Sequence, residues 1–359
     1  MQQSVVPGIA MWSVWQPDRN LYFNSFFVES PTGNVAIDPL ALDDGDAREI
    51  TARGGLAWIA ITNRDHERDA RAIAARFGAK LAASAADTAS LAGPVDCELR
   101  DGDTFGEATV VALDGFKTPG EIALYYPGRA TVVLGDALWG SPAGALRLMP
   151  DEKLADPLAA TLALRRIAAL RPQHLLVGDG ACVFGDATRA LWSALDAHAV
   201  PGLRRVNRDE AVWRTWDSAP KGFESEAFDV GDVIGAQRLG YRLARIAPGN
   251  AASPLHWHTA EEELFVVLAG SATLVTPAGR TPLRSGDYVA FPTQPHGAHK
   301  VINESDRPCE ILMIANVDRG DVCAYPDSGK VLVEATGLLV RDHPGLDYWD
   351  GERSNGGLR

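Results

Sequence analysis

The stretch from residue 249 to residue 303 constrains this chain more than any other, because it gathers His256, His258, Glu263, His296 and His299. Four of the chain's eight histidines fall inside it, so chance clustering is a poor account. In an extended strand, residues two apart point to the same face. His256 and His258 can therefore aim at one point while Trp257 faces away. Glu263 opens the next apolar run, residues 264–268, in which Glu263, Phe265 and Val267 share a face. Gly270 permits a turn. Gly286-Asp287 then starts a strand over residues 288–291, Pro292 ends it, and His299 follows in a Gly-Ala-His step. Three neutral imidazoles and a carboxylate form a borderline N/O donor set. It suits one divalent transition metal (Fe, Mn, Ni, Co, Cu or Zn), with positions left for water or substrate.

The arrangement resembles the cupin family. Its first motif, G-x5-H-x-H-x3,4-E-x6-G, is matched by Gly249, His256, His258, Glu263 and Gly270, with six, four and six residues in the three longer gaps. Its second, G-x5-P-x-G-x2-H-x3-N, is matched by Gly286, Pro292, His299 and Asn303, with six residues between Pro292 and His299 and Gln294 where the glycine would be. The H-x3-N tail selects His299 over His296. The resemblance implies that His256, His258, Glu263 and His299 are metal ligands; His296 reads as a mouth or rim residue rather than a ligand. The competing reading is an ordinary barrel with polar residues and no metal.

With 359 residues, two domains are the starting expectation. The net charge of −13 comes without any basic block, which argues against nucleic acid and anionic membrane as partners. Cys97, Cys182, Cys309 and Cys323 are far apart and form no C-x-x-C pair, so they read as small buried residues in a reducing compartment. No segment reaches transmembrane length and no leader pattern opens the chain, so a cytoplasmic protein is expected.

Residues 1–200 alternate strands and helices. Strands are expected at 22–29, 34–38, 58–62, 109–113, 122–126, 131–134 and 174–177. One helix should contain Ala70, Ile73, Ala74 and Phe77 and end at Gly78. A second should start at Asp156-Pro157 and stop before Pro172, and a third should run over 186–198. The order resembles the metallo-β-lactamase fold, an αββα sandwich. Asn24-Ser25-Phe26-Phe27-Val28 and Val35-Ala36-Ile37-Asp38 look like its opening hairpin. Thr118-Pro119-Gly120-Glu121 looks like its T-P-G turn, and Gly135-Asp136-Ala137-Leu138-Trp139-Gly140 like its G-D-A-L-F-G segment. The family's H-x-H-x-D-H loop is broken: Asn63-Arg64-Asp65-His66-Glu67-Arg68-Asp69 stands there, no histidine precedes the T-P-G turn, and Gly178-Asp179-Gly180 replaces G-H-G. A binuclear site needs about five or six N/O ligands. This region offers His66, Asp65, Asp136 and Asp179, with the cations Arg64 and Arg68 beside them. It reads as a fold that has lost its hydrolytic chemistry.

The expected fold class is therefore α+β, with residues 1–200 a metallo-β-lactamase-like sandwich lacking most metal ligands. Residues 201–222 are read as a linker in which Trp213 and Trp216 pack on a barrel face or a domain interface, and residues 223–359 as an all-β cupin barrel. Tyr325, His343 and Tyr348-Trp349-Asp350-Gly351-Glu352 form a coda with no assigned chemistry. Three functions fit. The barrel could be a mononuclear metal oxygenase, isomerase or hydrolase acting on a small polar molecule, with His296 as the catalytic acid or base. It could be a non-enzymatic module binding a sugar or metabolite. Or hydrolysis could persist in the first domain on Asp136, Asp179 and His66. A homodimer is expected from the habits of related barrels.

Overall fold

The computed structural model describes residues 1–198, 200–215 and 219–341. Trp216, His343, Tyr348, Trp349, Asp350, Gly351 and Glu352 lie outside them. The chain forms two compact units, Met1–Arg205 with Val233–Gly235, and Val206–Asp232 with the chain from Ala236 onward.

In the first unit the sheet runs Cys97–Leu99, Lys80–Ser84, Trp58–Ile61, Val35–Ile37, Leu21–Val28, His174–Gly180, Thr131–Gly140, Ile122–Tyr126, Ala108–Ala112 and Thr104–Phe105. Its central strands read as continuous apolar runs because both faces are covered. One face of each half meets the other half: Phe26, Val28, Val35 and Ile37 pack with Val110, Ile122, Leu124 and Val133. The outer faces carry helices. Asp44–Ala52 and Ala70–Phe77 cover Phe27, Ile59, Ile61 and Leu81. Pro157–Ala169 and Ala187–Ala197 cover Val132, Leu134, Leu175 and Val177. This is the expected αββα sandwich. Asp156 caps its helix through the Ala159 N–H, with Pro157 at the first position, and Gly78 closes Ala70–Phe77 at φ 69°. The strand Ile9–Gln16 and the helix Asp44–Ala52 are additions to the expected set. That helix buries only Ala47 and Ile50, too few apolar positions to show a period.

The second unit is almost all strand. Ser225–Asp229, Leu239–Ile246, Cys309–Asn316, Glu263–Ala269 and Tyr288–Phe291 form one sheet, and Gly279–Arg284, Ser271–Thr276 and Lys300–Ile302 another. Ile246, Phe265, Val267, Leu274, Leu283, Phe291, Val301 and Ile311 fill the space between them. A third sheet joins Trp257–His258 to Val322–Tyr325, Lys330–Val333 and Leu338–Arg341. Trp213 packs on this unit, against Phe228, with the Arg245 guanidinium 4.0 Å from its ring centroid.

The turn before His299 has no spare volume. A Cβ on Gly297 would lie 1.7 Å from the Pro292 carbonyl oxygen. Backbone cannot yield by that much, so Gly297→Ala is expected to destabilise the second unit by about 3 kcal/mol or more. Urea unfolding checks this, and a loss under ~1 kcal/mol would show that the turn re-forms.

Candidate metal centre

Four expected residues meet in the second unit. Backbone bonds tie His256 to His299 in both directions, His256 N–H to His299 O at 3.1 Å and His299 N–H to His256 O at 2.9 Å. Glu263 heads its strand opposite Phe291 and Ala315. Its Oε2 atom lies 3.7 Å from His256 Nε2, 3.7 Å from His258 Nε2 and 3.2 Å from His299 Nε2. Gln294 braces the backbone of His258. Its φ is 77°, a conformation that favours glycine, and its N–H donates to the His258 carbonyl at 2.7 Å. The glycine of the family motif is thus absent while the backbone shape it serves is present.

The other ring nitrogens set the tautomers. His256 Nδ1 lies 2.9 Å from the Pro254 carbonyl and His299 Nδ1 lies 3.0 Å from the Gly297 carbonyl. A carbonyl only accepts, so both Nδ1 atoms carry hydrogen and both Nε2 lone pairs face Glu263. Burial holds His256 down to about 4 and His299 down to about 3, so both are neutral at physiological pH. Burial lifts the Glu263 carboxyl to about 7. His258 runs the other way. Burial would lower it, but hydrogen bonds to Cys323 and Asp321 and the charge of Glu263 lift it to about 10. Its Nδ1–H donates to Asp321 Oδ2 at 2.6 Å.

Two atoms at the convergence point, Glu263 Oε2 and His299 Nε2, are buried without a hydrogen-bond partner. Orphaned buried polar atoms cost about 1–3 kcal/mol each. Both are lone-pair donors pointing at one place, which is the arrangement a cation would satisfy. The donor set fits one divalent transition metal. His296 lies exposed on the one-turn helix Pro295–Gly297, outside this cluster. Phe291 stacks on the His299 ring with centroids 3.6 Å apart, and Tyr325 stacks on His256 at 6.1 Å. Asp321, Cys323 and Tyr325, all from the coda side of the chain, are residues the motif spacing does not reveal.

The first unit holds a different cluster. His66, Asp136 and Asp179 bring ligand atoms within 4.8 Å of one another, while Asp65 pairs with Lys117. Gly135 and Gly178 leave room for the His66 ring: a Cβ on Gly178 would sit 2.8 Å from His66 Cε1. Both His66 nitrogens are engaged, Nδ1 with Asp38 Oδ2 at 2.8 Å and Nε2 with Asp136 Oδ1 at 3.3 Å. Arg68 is anchored by the Asn24 and Asp38 carbonyls at 2.8 and 3.1 Å, and its Nη2 lies 3.1 Å from His66 Nε2 and 3.8 Å from Asp179 Oδ1. Arg19 approaches the other Asp179 oxygen at 3.7 Å. A cavity of about 700 Å³ opens over the group.

Burial would lower His66, but the Asp38 charge and hydrogen bonds to Asp136 and Asp38 raise it to about 10. Burial, then the Asp136 charge, raise Asp179 to about 6. A base raised above its ordinary 6.5 contributes fully below pH 6.5 and loses that contribution as pH climbs through 10. The first unit is therefore expected to lose on the order of a few kcal/mol between pH 7 and 10. Asp179 acts lower, its contribution present below its ordinary 3.8 and lost as pH rises through 6. Hydrogen exchange of the buried strand Trp58–Ile61 reads the alkaline loss, and a His66→Gln variant should flatten it. An unchanged slope in that variant would assign the loss elsewhere.

A family model described as the metallo-beta-lactamase superfamily matches residues 1–197, and one described as a cupin domain matches residues 242–315. The chain is similar to a hydroxyacylglutathione hydrolase of Acidiphilium cryptum (strain JF-5), 34% identical over 134 residues, which is 36% of this chain and 52% of the relative. A hydroxyacylglutathione hydrolase of Rhodobacter capsulatus is 35% identical over 127 residues, 34% of this chain and 46% of the relative. The chain spans about half the length of these curated relatives. Among solved structures it is similar to a sugar phosphate isomerase of the cupin superfamily from Silicibacter pomeroyi, 25% identical, with 40% of this chain and 97% of that one covered and a TM-score of 0.36. A metallo-beta-lactamase from Pontibacter korlensis is 14% identical, with 54% and 97% covered and a TM-score of 0.45. Among the described residues no helix is long and apolar enough to cross a membrane.

Proposed function

Because the chain belongs to the metallo-beta-lactamase superfamily and carries a cupin domain, we propose that its metal chemistry resides in the second unit, on His256, His258, Glu263 and His299, and that the first unit has given up hydrolysis. The observation that carries this reading is the pair of orphaned buried atoms, Glu263 Oε2 and His299 Nε2, at the point where three Nε2 atoms converge. A divalent transition metal, when bound there, supplies Lewis acidity toward a carbonyl or enolate oxygen, or a place for O₂. That makes isomerisation or oxygenation of a small polar metabolite the supported reaction class. The protein's own part is to keep His256 and His299 neutral by burial, to aim their Nε2 atoms by the Pro254 and Gly297 carbonyls, and to wall the site with Phe265 and Phe291. His296, exposed near the ligand segment, is the proposed acid or base. A homodimer in the cytoplasm belongs to the same proposal, and light scattering at the monomer mass would count against it.

In the first unit, Asp38, Asp136 and Asp179 already face one protonated imidazole and two guanidiniums. A divalent ion added beside Arg68 would meet repulsion on the order of several kcal/mol. This supports a site closed by its own cations. The hydroxyacylglutathione hydrolase relatives favour a second reading, residual thioester hydrolysis over the cavity.

One experiment separates these. The chain reloaded with Fe(II) or Mn(II) is screened over small polar metabolites for substrate loss and O₂ uptake, and separately over hydroxyacylglutathione thioesters. Metabolite turnover that His256→Ala/His258→Ala abolishes is the expected result. Saturable binding without turnover makes the barrel a binding module. Thioester hydrolysis that vanishes in Asp136→Ala would sink the claim of a silent first unit.

A further inference from the structure

The strand Val322–Tyr325 lies beyond residue 315, where the cupin match ends, yet it forms part of the site. It runs antiparallel to Trp257–His258 with Cys323 paired directly to His258. Directly opposed residues of an antiparallel pair project to the same face. The Cys323 sulfur therefore stands beside the imidazole cluster: donor atoms of His256, His258 and Cys323 lie within 4.8 Å of one another. Cys323 is 2% exposed and free of any disulfide. His256 also belongs to the group with Glu263 and His299, so the two sets share a corner. Next to them, His299 Nε2, in a side chain 1% exposed, has no hydrogen-bond partner.

We infer that Cys323 is a sulfur ligand of the metal bound by His256, His258, Glu263 and His299. The inference rests on the metal reading above and changes its chemistry, from an N/O centre to an N/O/S centre. The 4.8 Å spacing covers His256, His258 and Cys323, and Glu263 and His299 meet that set through the shared His256, so a common ion with bonds of about 2.0–2.3 Å would draw the five donors together by side-chain rotation. As the bond forms, a sulfur lone pair goes to the metal and the thiol proton leaves to solvent, with no oxidant or reductant involved. A thiolate in the set favours zinc, cobalt or copper over manganese.

The test is Co(II) titration of the full metal-free chain under anaerobic reducing conditions, for wild type, Cys323→Ser and Cys323→Ala. Circular dichroism establishes that each variant folds. Wild type is expected to take up cobalt with an intense near-ultraviolet thiolate-to-cobalt charge-transfer band. Both variants should keep the visible cobalt bands, lose the charge-transfer band and bind about 10- to 100-fold more weakly. Cobalt bound by wild type without that band, or a band that survives in both variants, would overturn the sulfur ligand and leave the metal reading standing. No cobalt uptake by wild type would overturn both.

Discussion

Protein purified without a tag is expected to carry about one divalent transition metal per chain, and its His256→Ala/His258→Ala variant essentially none. Removing two imidazoles takes away both partners of Cys323 and the residue that joins it to Glu263 and His299, so no group of three close donors remains in the second unit among the described residues. Plasma mass spectrometry on both proteins reads the difference directly. The thermal response should follow it. At metal a hundredfold above Kd, binding adds about 2.7 kcal/mol to whichever unit holds the ion. Hydrogen exchange of Glu263–Ala269 should therefore slow on metal addition, while Trp58–Ile61 in the first unit is unaffected. Metal that persists in the variant would move the chemistry to Asp136 and Asp179. No metal in either protein would leave a metal-free binding barrel.

The second large effect concerns Asp321, which is 0% exposed. One of its oxygens accepts from Thr259 Oγ1 at 3.0 Å and from the Ala260 N–H at 2.7 Å, and the other accepts the His258 Nδ1–H. Asp321→Asn keeps the shape but sets an amide N–H₂ where His258 needs an acceptor. The ring can relieve that clash only by moving its hydrogen to Nε2, which removes the lone pair a metal would use. Metal Kd is expected to rise about 10- to 100-fold, or ~1.4–2.8 kcal/mol. Asp321→Ala instead strands the part-buried donors His258 Nδ1–H, Thr259 Oγ1–H and the Ala260 N–H, at about 1 kcal/mol or more each, so the second unit should lose several kcal/mol of stability. The pH profile separates positioning from folding. His258 holds a proton up to about 10 without metal, so wild-type affinity should climb with pH across that range. That climb should weaken in Asp321→Asn. An Asn variant with wild-type metal affinity and wild-type pH dependence would show that Asp321 only holds the loop.

The convergence of His256, His258, Glu263 and His299 was legible because strand periodicity and short gaps are local properties of a sequence. Asp321 and Cys323 were hidden because they reach the cluster through a pairing of strands more than sixty residues apart, which no local pattern encodes. For the same reason the sequence alone attaches no chemistry to the coda. In the first unit, the apolar runs announced the buried strands, and Asp156-Pro157 announced a helix. The departure of residues 63–69 from the H-x-H-x-D-H pattern is legible there too. That Arg68 reaches into the cluster, and that Asp38 supports His66, depends on how the loop after Ile61 folds back on the hairpin strands, Leu21–Val28 and Val35–Ile37. Gln294 shows the opposite case: the motif's glycine is missing from the sequence, and only the backbone reveals that its conformation is retained.

The strand Val322–Tyr325 also changes where this barrel should be considered to end. A chain cut at residue 315, the limit of the family match, would keep all four motif side chains. It would remove the acceptor behind His258, the thiol beside it and the ring against His256. Grafts, swaps or fusions of such a domain should therefore be drawn past residue 333, the close of the next strand. A boundary taken from the matched region alone would yield a vessel of the right outline whose inner wall is missing.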